Sequence, residues 1–282
     1  MILDGKKVAE VIKQDIKKEI EKNNYKINLA TILVGENPAS KIYIRNKKKA
    51  CEYVGINLLL YDFSENTQED YLIDLIHKLN NDKKITGIFV QLPLPKHIND
   101  KVIMQNINHL KDVDGFHPLN IGNLLIGKPS FVSCTPLGII ALLEYYKIKI
   151  QGKNCVVIGR SVEVGKPLAL LLTNLNATVT LCHSHTRNLL EITKNADILI
   201  SSVGKPLFIN KEHIKQGATL IDVGMNKHPE TNKTCGDIDF EDCLNKAGNI
   251  TPVPGGVGVM TVAALLKNCV LAHRLANETA LI

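Results

Sequence analysis

The chain has 282 residues, and its 34 Lys and Arg against 28 Asp and Glu give a net charge of +6. Hydrophobic residues make up 45% and charged residues 22%, which excludes a disordered chain and suits two moderate domains or one large one. Trp is absent, aromatic residues are only 5%, and the basic residues are spread out. Stacking platforms for single-stranded nucleic acid are therefore scarce, and the modest basic excess fits a protein that handles small anions at least as well as one that handles DNA.

The cysteines and the N-terminus indicate the compartment. Seven cysteines without a CxxC pair indicate neither a disulfide framework nor a zinc finger, and reduced thiols are typical of the cytoplasm. The segment MILDGKKVAEVIKQDI has Asp4 and two lysines where a signal peptide needs an apolar run. The longest apolar stretch, 257–266, is ended by Lys267, so we expect no membrane-spanning segment and a soluble cytoplasmic protein.

Strand-like and helix-like segments alternate from the N-terminus onwards, as in α/β proteins. The first half contains three predicted helices, at 6–22, 40–54 and 68–80. It also contains three predicted strands, at 29–35, 57–63 and 87–95, the last running into a proline-rich loop. This βαβαβ order predicts a mostly parallel sheet.

A second βαβαβ run follows a loop-rich stretch at 112–136, where Gly, Pro, Asn and Ser are frequent and periodicity is lost. Its predicted helices are 136–147, 164–175 and 187–195. Its predicted strands are an apolar one that begins at 154 and breaks at Gly159, and the segments 177–183, 197–204 and 219–224. A long apolar helix at 259–276 is expected to pack back on the first domain.

The loop after the strand that begins at 154 has the form of a phosphate-binding turn. The segment CVVIGRSVEVGKP places Gly159 at the end of the strand and Gly165 at the start of a helix. Such a loop directs backbone N–H groups and a helix N-terminus at a pyrophosphate. The spacing is not GxGxxG, since Arg160 and Ser161 follow Gly159, so an ordinary βα turn is the alternative. The order of the strands and helices that follow favours dinucleotide binding.

The end of the next strand bears on the choice of cofactor. NAD-selective sites place Asp or Glu there for the ribose 2′-hydroxyl, but residues 182–186 read CHSHT. With Arg160 near a 2′-phosphate, the sequence favours NADP, and NAD is the alternative. His183 and His185 form an HxH pair without a third ligand nearby, so we expect no metal and histidines that face solvent or phosphate.

One lysine in the basic segment SKIYIRNKKKACEYV differs from its neighbours. At about 100° per residue, a helical wheel places Lys47 in the apolar arc, one turn after Tyr43. Arg45, Lys48 and Lys49 fall on the opposite side. Lys47 either extends its stem towards water or is kept for proton transfer, since partial desolvation lowers the pKa of a lysine towards neutrality. The wheel leaves both interpretations open.

Two further polar residues stand among apolar ones. Gln91 ends the strand GIFVQ before the LPLP turn, where a buried amide requires partners. Asp114 lies in KDVDGF between the two halves of the chain, and Asp before Gly is common in turns. Each has a structural explanation, but both positions lie near strand ends, where open α/β sheets bind ligands.

Together these segments resemble one family, the bifunctional methylenetetrahydrofolate dehydrogenases/cyclohydrolases. The resemblance covers nearly the whole chain, and its motifs are PASKIYIRNK, VQLPLP, KDVDGF, CTPLG, VIGRSVEVGKP and TPVPGGVGVMT. It implies two three-layer α/β domains flanking a cleft, the second a Rossmann-like NAD(P)-binding domain, in a cytoplasmic homodimer. The folate-binding catalytic domain is then expected at 1–120 with 259–282, and the NADP-binding domain at 121–258.

The resemblance also implies an activity and the residues that perform it. 5,10-Methylenetetrahydrofolate is oxidised with NADP to the 5,10-methenyl form and hydrolysed to 10-formyltetrahydrofolate, in one-carbon metabolism that serves purine, histidine and methionine biosynthesis. The implied catalytic residues are Lys47, its tuning partner Gln91, Tyr43 stacked on the folate, and Asp114 on the pterin. The implied substrate contacts are Ser40, Tyr43, Gln91, Leu92, Pro93, Asp114, Pro254 and Gly255. The implied cofactor contacts are Gly159, Arg160, Ser161, Val164, Gly165, Pro167, Ser184, Met225 and Thr251.

Other functions are distinguishable by experiment. A dehydrogenase without the hydrolytic step would accumulate the methenyl product. A cofactor-binding module without turnover would fail to reduce NADP, and the placement of Lys47, Gln91 and Asp114 argues against it. A nucleic-acid role rests on net charge alone, and salt-dependent DNA binding would be its test.

Overall fold

The computed structural model describes the backbone of residues 1–279 and the side chains of residues 1–277. Contacts within the chain divide it into two compact units. Unit A consists of Val11–Val132 and Leu265–Ile282, and unit B of Met1–Glu10 and Ser133–Ala264. Residues 280–282, the end of the predicted segment 259–282, lie outside the described residues.

Unit A is built on a parallel three-stranded sheet. Its strands are β1 (Asn28–Val34), β2 (Asn57–Phe63) and β3 (Gly87–Val90). The helices in this part of the chain are α1 (Gly5–Asn23), α2 (Pro38–Val54), α3 (Glu69–Asn81), α4 (Asp100–Asn106) and α5 (Pro118–Leu125). The spatial order is β2-β1-β3, with all pairs parallel, so the predicted βαβαβ arrangement is confirmed.

The two faces of the unit A sheet have different neighbours. Ile32, Ile88 and Val90 lie in an apolar core with buried residues of α3 and α4. Because side chains alternate along a strand, Phe89 and Gln91 point to the other face, where α2 packs. This alternation decides which residues of β3 face the candidate site.

The prediction of an irregular stretch at 112–136 was wrong in part, because α5 lies within it and α6 begins at Cys134. Helix α4 was also missed. Both α4 and α5 are held by local caps: the Asn99 side chain accepts the N–H of Lys101, and the His117 ring accepts the N–H of Leu119. Helices of seven and eight residues are too short to reveal an apolar period, so the pattern at these positions resembles a loop.

Unit B contains a parallel five-stranded sheet. Its strands are β4 (Asn154–Ile158), β5 (Thr178–Cys182), β6 (Ile198–Ser201), β7 (Thr219–Asp222) and β10 (Asn249–Ile250), and an antiparallel pair is formed by β8 (Asn226–Lys227) and β9 (Thr234–Cys235). Its helices are α6 (Cys134–Tyr145), α7 (Gly165–Asn174), α8 (Leu189–Thr193), the 3₁₀ turn Lys211–His213 and α9 (Phe240–Leu244). The order β10-β7-β6-β4-β5 confirms the second βαβαβ run, whereas the two-residue strands and α9 were not predicted.

The last helix, α10 (Val257–Thr279), corrects one expectation about membranes. Its stretch Val257–Asn277 is long and apolar enough to cross a bilayer by length and composition, with a mean hydropathy of 1.3. We expected Lys267 to end the apolar run, but a single lysine hardly lowers the mean hydropathy of so long a helix. Half of the stretch is buried within the protein, which is typical of a core helix.

Candidate active site

Helix α2 buries one lysine and exposes its neighbours. The helix begins after Asn37, whose side chain accepts the N–H groups of Ala39 and Ser40, and ends at Gly55 in the left-handed conformation. Its buried residues are Ser40, Ile44, Lys47, Cys51 and Val54. Lys47 is only 6% exposed, which confirms the face that the helical wheel predicts.

The Lys47 ammonium has two neighbours on β3 and the turn after it. Nζ donates a 2.9 Å hydrogen bond to Gln91 Oε1 and lies 3.5 Å from the centroid of the Phe89 ring. Gln91 Nε2 donates to the carbonyl of Leu92 at 2.6 Å, which fixes the amide with its oxygen towards the lysine. Sequence reasoning identified Gln91 but missed Phe89, although Phe89 stands two residues earlier and therefore on the same strand face.

Two further predicted residues lie on the N-terminal half of α2. Ser40 is buried, whereas Tyr43, one turn before Lys47, is 37% exposed. Burial raises the pKa of the Tyr43 phenol, so the ring stays neutral at physiological pH. A partly covered neutral ring beside Lys47 is suited to stacking on a flat ligand.

The turn that carries Asp114 is held by a different aspartate. Asp112 is 1% exposed, and its carboxylate accepts the N–H groups of Gly115 and His117 at 3.0 and 2.7 Å. Asn120 donates to the same carboxylate at 2.8 Å. Asp112 therefore performs the turn-stabilising role that we considered for Asp114.

The remaining predicted substrate residues fall in both units. In unit A, the peptide bond between Leu92 and Pro93 is cis. In unit B, Pro254 is exposed and follows a second cis bond, and the carbonyl of Gly255 accepts the N–H groups of Gly5 and Lys6. Gly255 has φ of +109°, a conformation that favours glycine.

Unit B contains a cavity of about 430 Å³ at the carboxyl ends of β4, β5 and β6. The strand that follows β5 in sequence, β6, lies on the other side of β4, so this is the point where strand order reverses. Open α/β sheets bind ligands at such points. The cavity is lined by Ile158, Gly159, Arg160, Ser161, His183, Ser184, Thr186, Leu189, Ser202, Val203, Lys205 and Phe208.

The glycines of the predicted phosphate loop permit close backbone approach. A Cβ on Gly159 would lie 2.3 Å from the carbonyl oxygen of Ser202, and one on Gly165 would lie 1.9 Å from the carbonyl oxygen of Gly159. Gly159 also has φ of +118°. No other residue fits either position without movement of the backbone, which is the requirement of a loop that wraps a pyrophosphate at the start of α7.

The charges around the cavity suit an anionic ligand. Arg160 and Lys205 are cationic, and none of the lining residues in the described chain is Asp or Glu. His183 Nδ1 accepts the N–H of His185, so one ring nitrogen of the HxH pair stabilises the turn that contains both histidines. Within residues 1–277, no group of three His, Cys, Asp or Glu side chains is placed to hold a metal ion. The residues present fit a dinucleotide phosphate.

The other predicted cofactor residues lie outside this lining. Val164 and Gly165 form the start of α7, and Pro167 is buried in its first turn. Met225 is 53% exposed, and Thr251 is buried, where its hydroxyl accepts the N–H of Asp222 at 2.7 Å. The structure thus gathers Gly159, Arg160, Ser161 and Ser184 around the cavity and gives Thr251 a partner within the sheet.

A buried carboxylate that sequence reasoning missed organises one wall of the cavity. Asp237 is 0% exposed and accepts the N–H groups of Val203 at 2.7 Å and Lys205 at 3.0 Å. It also accepts a 2.9 Å hydrogen bond from the Asn226 amide. Because Val203 and Lys205 line the cavity, Asp237 fixes their loop. The only sequence signal is the acidic motif CGDIDF.

A second buried aspartate, Asp222, leads us to predict that the stability of the fold depends on pH. Burial raises the pKa of Asp222 to about 7, although the N–H groups of Ile238, Asp237 and Gly224 oppose this rise. The folded state therefore binds this proton more tightly than the unfolded state, and the resulting stability is lost as pH rises from about 4 to about 7. Between pH 5 and 8 we expect the wild type to lose about 3 kcal/mol relative to Asp222→Asn.

Urea unfolding of both proteins at pH 5, 6, 7 and 8 measures this difference. The Asp222→Asn variant serves as the reference for the wild type, because every other titrating group is common to both proteins. Parallel stability curves across this range would contradict the raised pKa of Asp222.

The fold and the two sites define an α/β protein with a dinucleotide-binding unit and a buried lysine on a separate α/β unit. Two family models match: "Tetrahydrofolate dehydrogenase/cyclohydrolase, catalytic domain" over residues 3–114, and "Tetrahydrofolate dehydrogenase/cyclohydrolase, NAD(P)-binding domain" over residues 133–277. The chain is 53% identical over 276 residues to the "Bifunctional protein FolD" of Agathobacter rectalis, with 97% of this chain and 99% of that protein covered. The chain belongs to the tetrahydrofolate dehydrogenase/cyclohydrolase family.

Solved structures agree with this assignment. The bifunctional FolD methylenetetrahydrofolate dehydrogenase/cyclohydrolase of Campylobacter jejuni has a TM-score of 0.95 at 44% identity, covering 98% of this chain and 99% of that one. The Trypanosoma brucei FolD complexed with NADP cofactor and inhibitor has a TM-score of 0.93 at 35% identity, with 98% of each chain covered. The two-domain α/β fold predicted from the sequence is confirmed.

Proposed function

We propose that this chain oxidises 5,10-methylenetetrahydrofolate with NADP and hydrolyses the product, 5,10-methenyltetrahydrofolate, to 10-formyltetrahydrofolate. The observation that carries the proposal is the buried pair of Lys47 and Gln91, joined by a 2.9 Å hydrogen bond. Membership of the family and the cavity in unit B support the assignment. The reaction belongs to one-carbon folate metabolism, and we propose that it supplies purine, histidine and methionine biosynthesis.

Hydrolysis requires both protons of the attacking water to leave its oxygen. The methenyl group is a cation flanked by two nitrogens, so water attacks its carbon; one water proton is passed to a nitrogen as that carbon–nitrogen bond breaks, and the other is released to solvent as the formyl carbonyl forms. Burial of Lys47 disfavours its charged form, whereas the oxygen of Gln91 favours it. An amine balanced in this way takes the proton from water and returns it to the leaving nitrogen. A permanent ammonium would repel the cationic substrate.

Binding of the folate is assigned to the side chains around Lys47. The half-open ring of Tyr43 stacks on the pterin, and the carboxylate of Asp114 accepts hydrogen bonds from its N–H groups. Ser40 is buried in the first turn of α2, on the same helix face as Lys47. The other substrate contacts in this proposal are Leu92, Pro93, Pro254 and Gly255.

The oxidation is mainly a matter of positioning. When bound, NADP accepts a hydride from the methylene carbon. Gly159 and Ser161 give the backbone approach that a pyrophosphate needs, and Arg160 and Ser184 line the same cavity without an acidic residue. The remaining cofactor contacts in this proposal are Val164, Gly165, Pro167, Met225 and Thr251. The lack of an acid among the lining residues favours NADP over NAD.

The organisation of the whole protein forms part of the proposal. Residues 1–120 with 259–282 act as the folate-binding catalytic domain, and residues 121–258 act as the NADP-binding domain. The protein works as a cytoplasmic homodimer that binds neither nucleic acid nor membrane, and the half-buried α10 supports the last point. Light scattering coupled to size-exclusion chromatography reports the dimer directly.

One assay tests the activity. Purified protein receives methylenetetrahydrofolate with NADP or with NAD, and the methenyl and formyl products are followed together. We expect both products and faster turnover with NADP. Methenyl product without formyl product would identify a dehydrogenase alone, and absence of cofactor reduction would leave only a binding module.

A further inference from the structure

Phe89 lies directly beneath the candidate catalytic lysine. The residue is 5% exposed, and its ring centroid is 3.5 Å from Lys47 Nζ. Its neighbours Ile88 and Val90 point into the apolar core on the other face of the sheet. The ring is therefore held by the strand, and the ammonium rests on its face.

An aromatic face attracts a cation, and the attraction is larger where water is excluded. Lys47 is 6% exposed, so its contact with Phe89 is largely desolvated. The ring and the Gln91 oxygen approach the same nitrogen, and both favour its charged form. Burial acts in the opposite direction.

The titratable groups near Lys47 define what else sets its charge. Cys51, one turn later on α2, is close enough to interact with the lysine, but burial raises the pKa of its thiol to about 12. Cys269 of α10 lies near Cys51, and burial raises the pKa of that thiol as well. Both thiols are therefore neutral at physiological pH. Two further titratable groups of unit A are the phenol of Tyr43, which burial keeps neutral, and Asp114, which interacts with Cys269.

We propose that Phe89 is a positioning residue for Lys47, which holds the ammonium between its ring and the Gln91 amide and favours the protonated form of the lysine. The inference rests on the proposed function and deepens it, because it assigns a residue that sets the protonated fraction of Lys47. A leucine at this position would keep an apolar side chain under the lysine and remove the aromatic face.

The test is NMR titration of protein labelled with [ε-¹³C]lysine. The Lys47 signal is the one that disappears in Lys47→Met. In the wild type, the ring should shift the ε-protons of Lys47 upfield from those of the exposed lysines. In Phe89→Leu this shift should vanish, and the titration midpoint of Lys47 should fall by about 1 pH unit. The pH profile of hydrolysis should move in the same direction.

The matched control is Ile88→Val, which trims a buried residue on the opposite face of the same strand. It should leave the Lys47 midpoint unchanged. An unchanged midpoint in Phe89→Leu, or the absence of an upfield shift in the wild type, would overturn the inference. The wild-type measurement decides the matter even if Phe89→Leu fails to fold. A shifted NMR midpoint together with full hydrolysis by Lys47→Met would uphold the Phe89–Lys47 pairing and reject the proposed role of the lysine.

Discussion

Replacing Lys47 with methionine is expected to reduce hydrolysis of methenyltetrahydrofolate by roughly 10²–10⁴-fold, the usual contribution of general acid–base catalysis. Methionine fills the buried position with an apolar chain of similar length, so the fold should survive. It removes the ammonium that donates to Gln91 Oε1 and with it the group proposed to transfer the protons. Steady-state hydrolysis and thermal unfolding measure the two effects separately.

The matched control is Lys48→Met, which changes the adjacent, exposed lysine of the same helix. It should retain wild-type hydrolysis. NADP affinity should be unaltered in both variants, because the cavity at the ends of β4, β5 and β6 contains neither lysine. Full hydrolysis by Lys47→Met would remove this lysine from the mechanism.

Replacing Gly159 with alanine is expected to weaken NADP binding by roughly 10- to 100-fold. The added Cβ would lie 2.3 Å from the carbonyl oxygen of Ser202 and would occupy a backbone with φ of +118°. Strain of this kind costs on the order of 1–3 kcal/mol, and its relief moves the loop that contributes Arg160 and Ser161 to the cavity. Calorimetric titration with NADP gives the affinity.

The control variant Gly152→Ala separates the effect of backbone strain from the effect of a clash at the cavity. Gly152 also has a positive φ, of +73°, but a Cβ there would meet no atom within 4 Å. This variant should lose some stability from backbone strain and keep its NADP affinity. Equal affinities for the Gly159→Ala variant and the wild type would mean that the cavity is not the cofactor site.

Periodic sequence patterns predicted the long helices and strands and the face of α2 on which Lys47 lies, because each of these depends on many residues that follow one repeat. The helical wheel isolated Lys47 from Lys48 and Lys49, and the structure buries only the first of these. Short elements such as α4 and α5 depend on single caps, Asn99 and His117, which carry no period. A sequence pattern cannot distinguish them from loops.

The parts of the site that were missed depend on contacts distant in sequence. Phe89 meets Lys47 across 42 positions of the chain, and Asp237 holds Val203 and Lys205 from more than thirty residues away. The strand pattern contained the information for Phe89, since it faces the same way as Gln91. The network of Asp237 follows only from the pairing of strands, which the sequence does not specify by itself.

Asn268 of α10 makes two hydrogen bonds that bear on the order in which the chain folds. Its amide donates to the carbonyls of Val113 and Val132, at 2.8 and 3.0 Å, and so fastens both ends of the segment that starts with the Asp114 turn. Asn268 is synthesised 155 residues after Val113 and 136 residues after Val132. On the ribosome, the turn that carries Asp114 therefore waits for this much later segment to emerge before its backbone partners are complete.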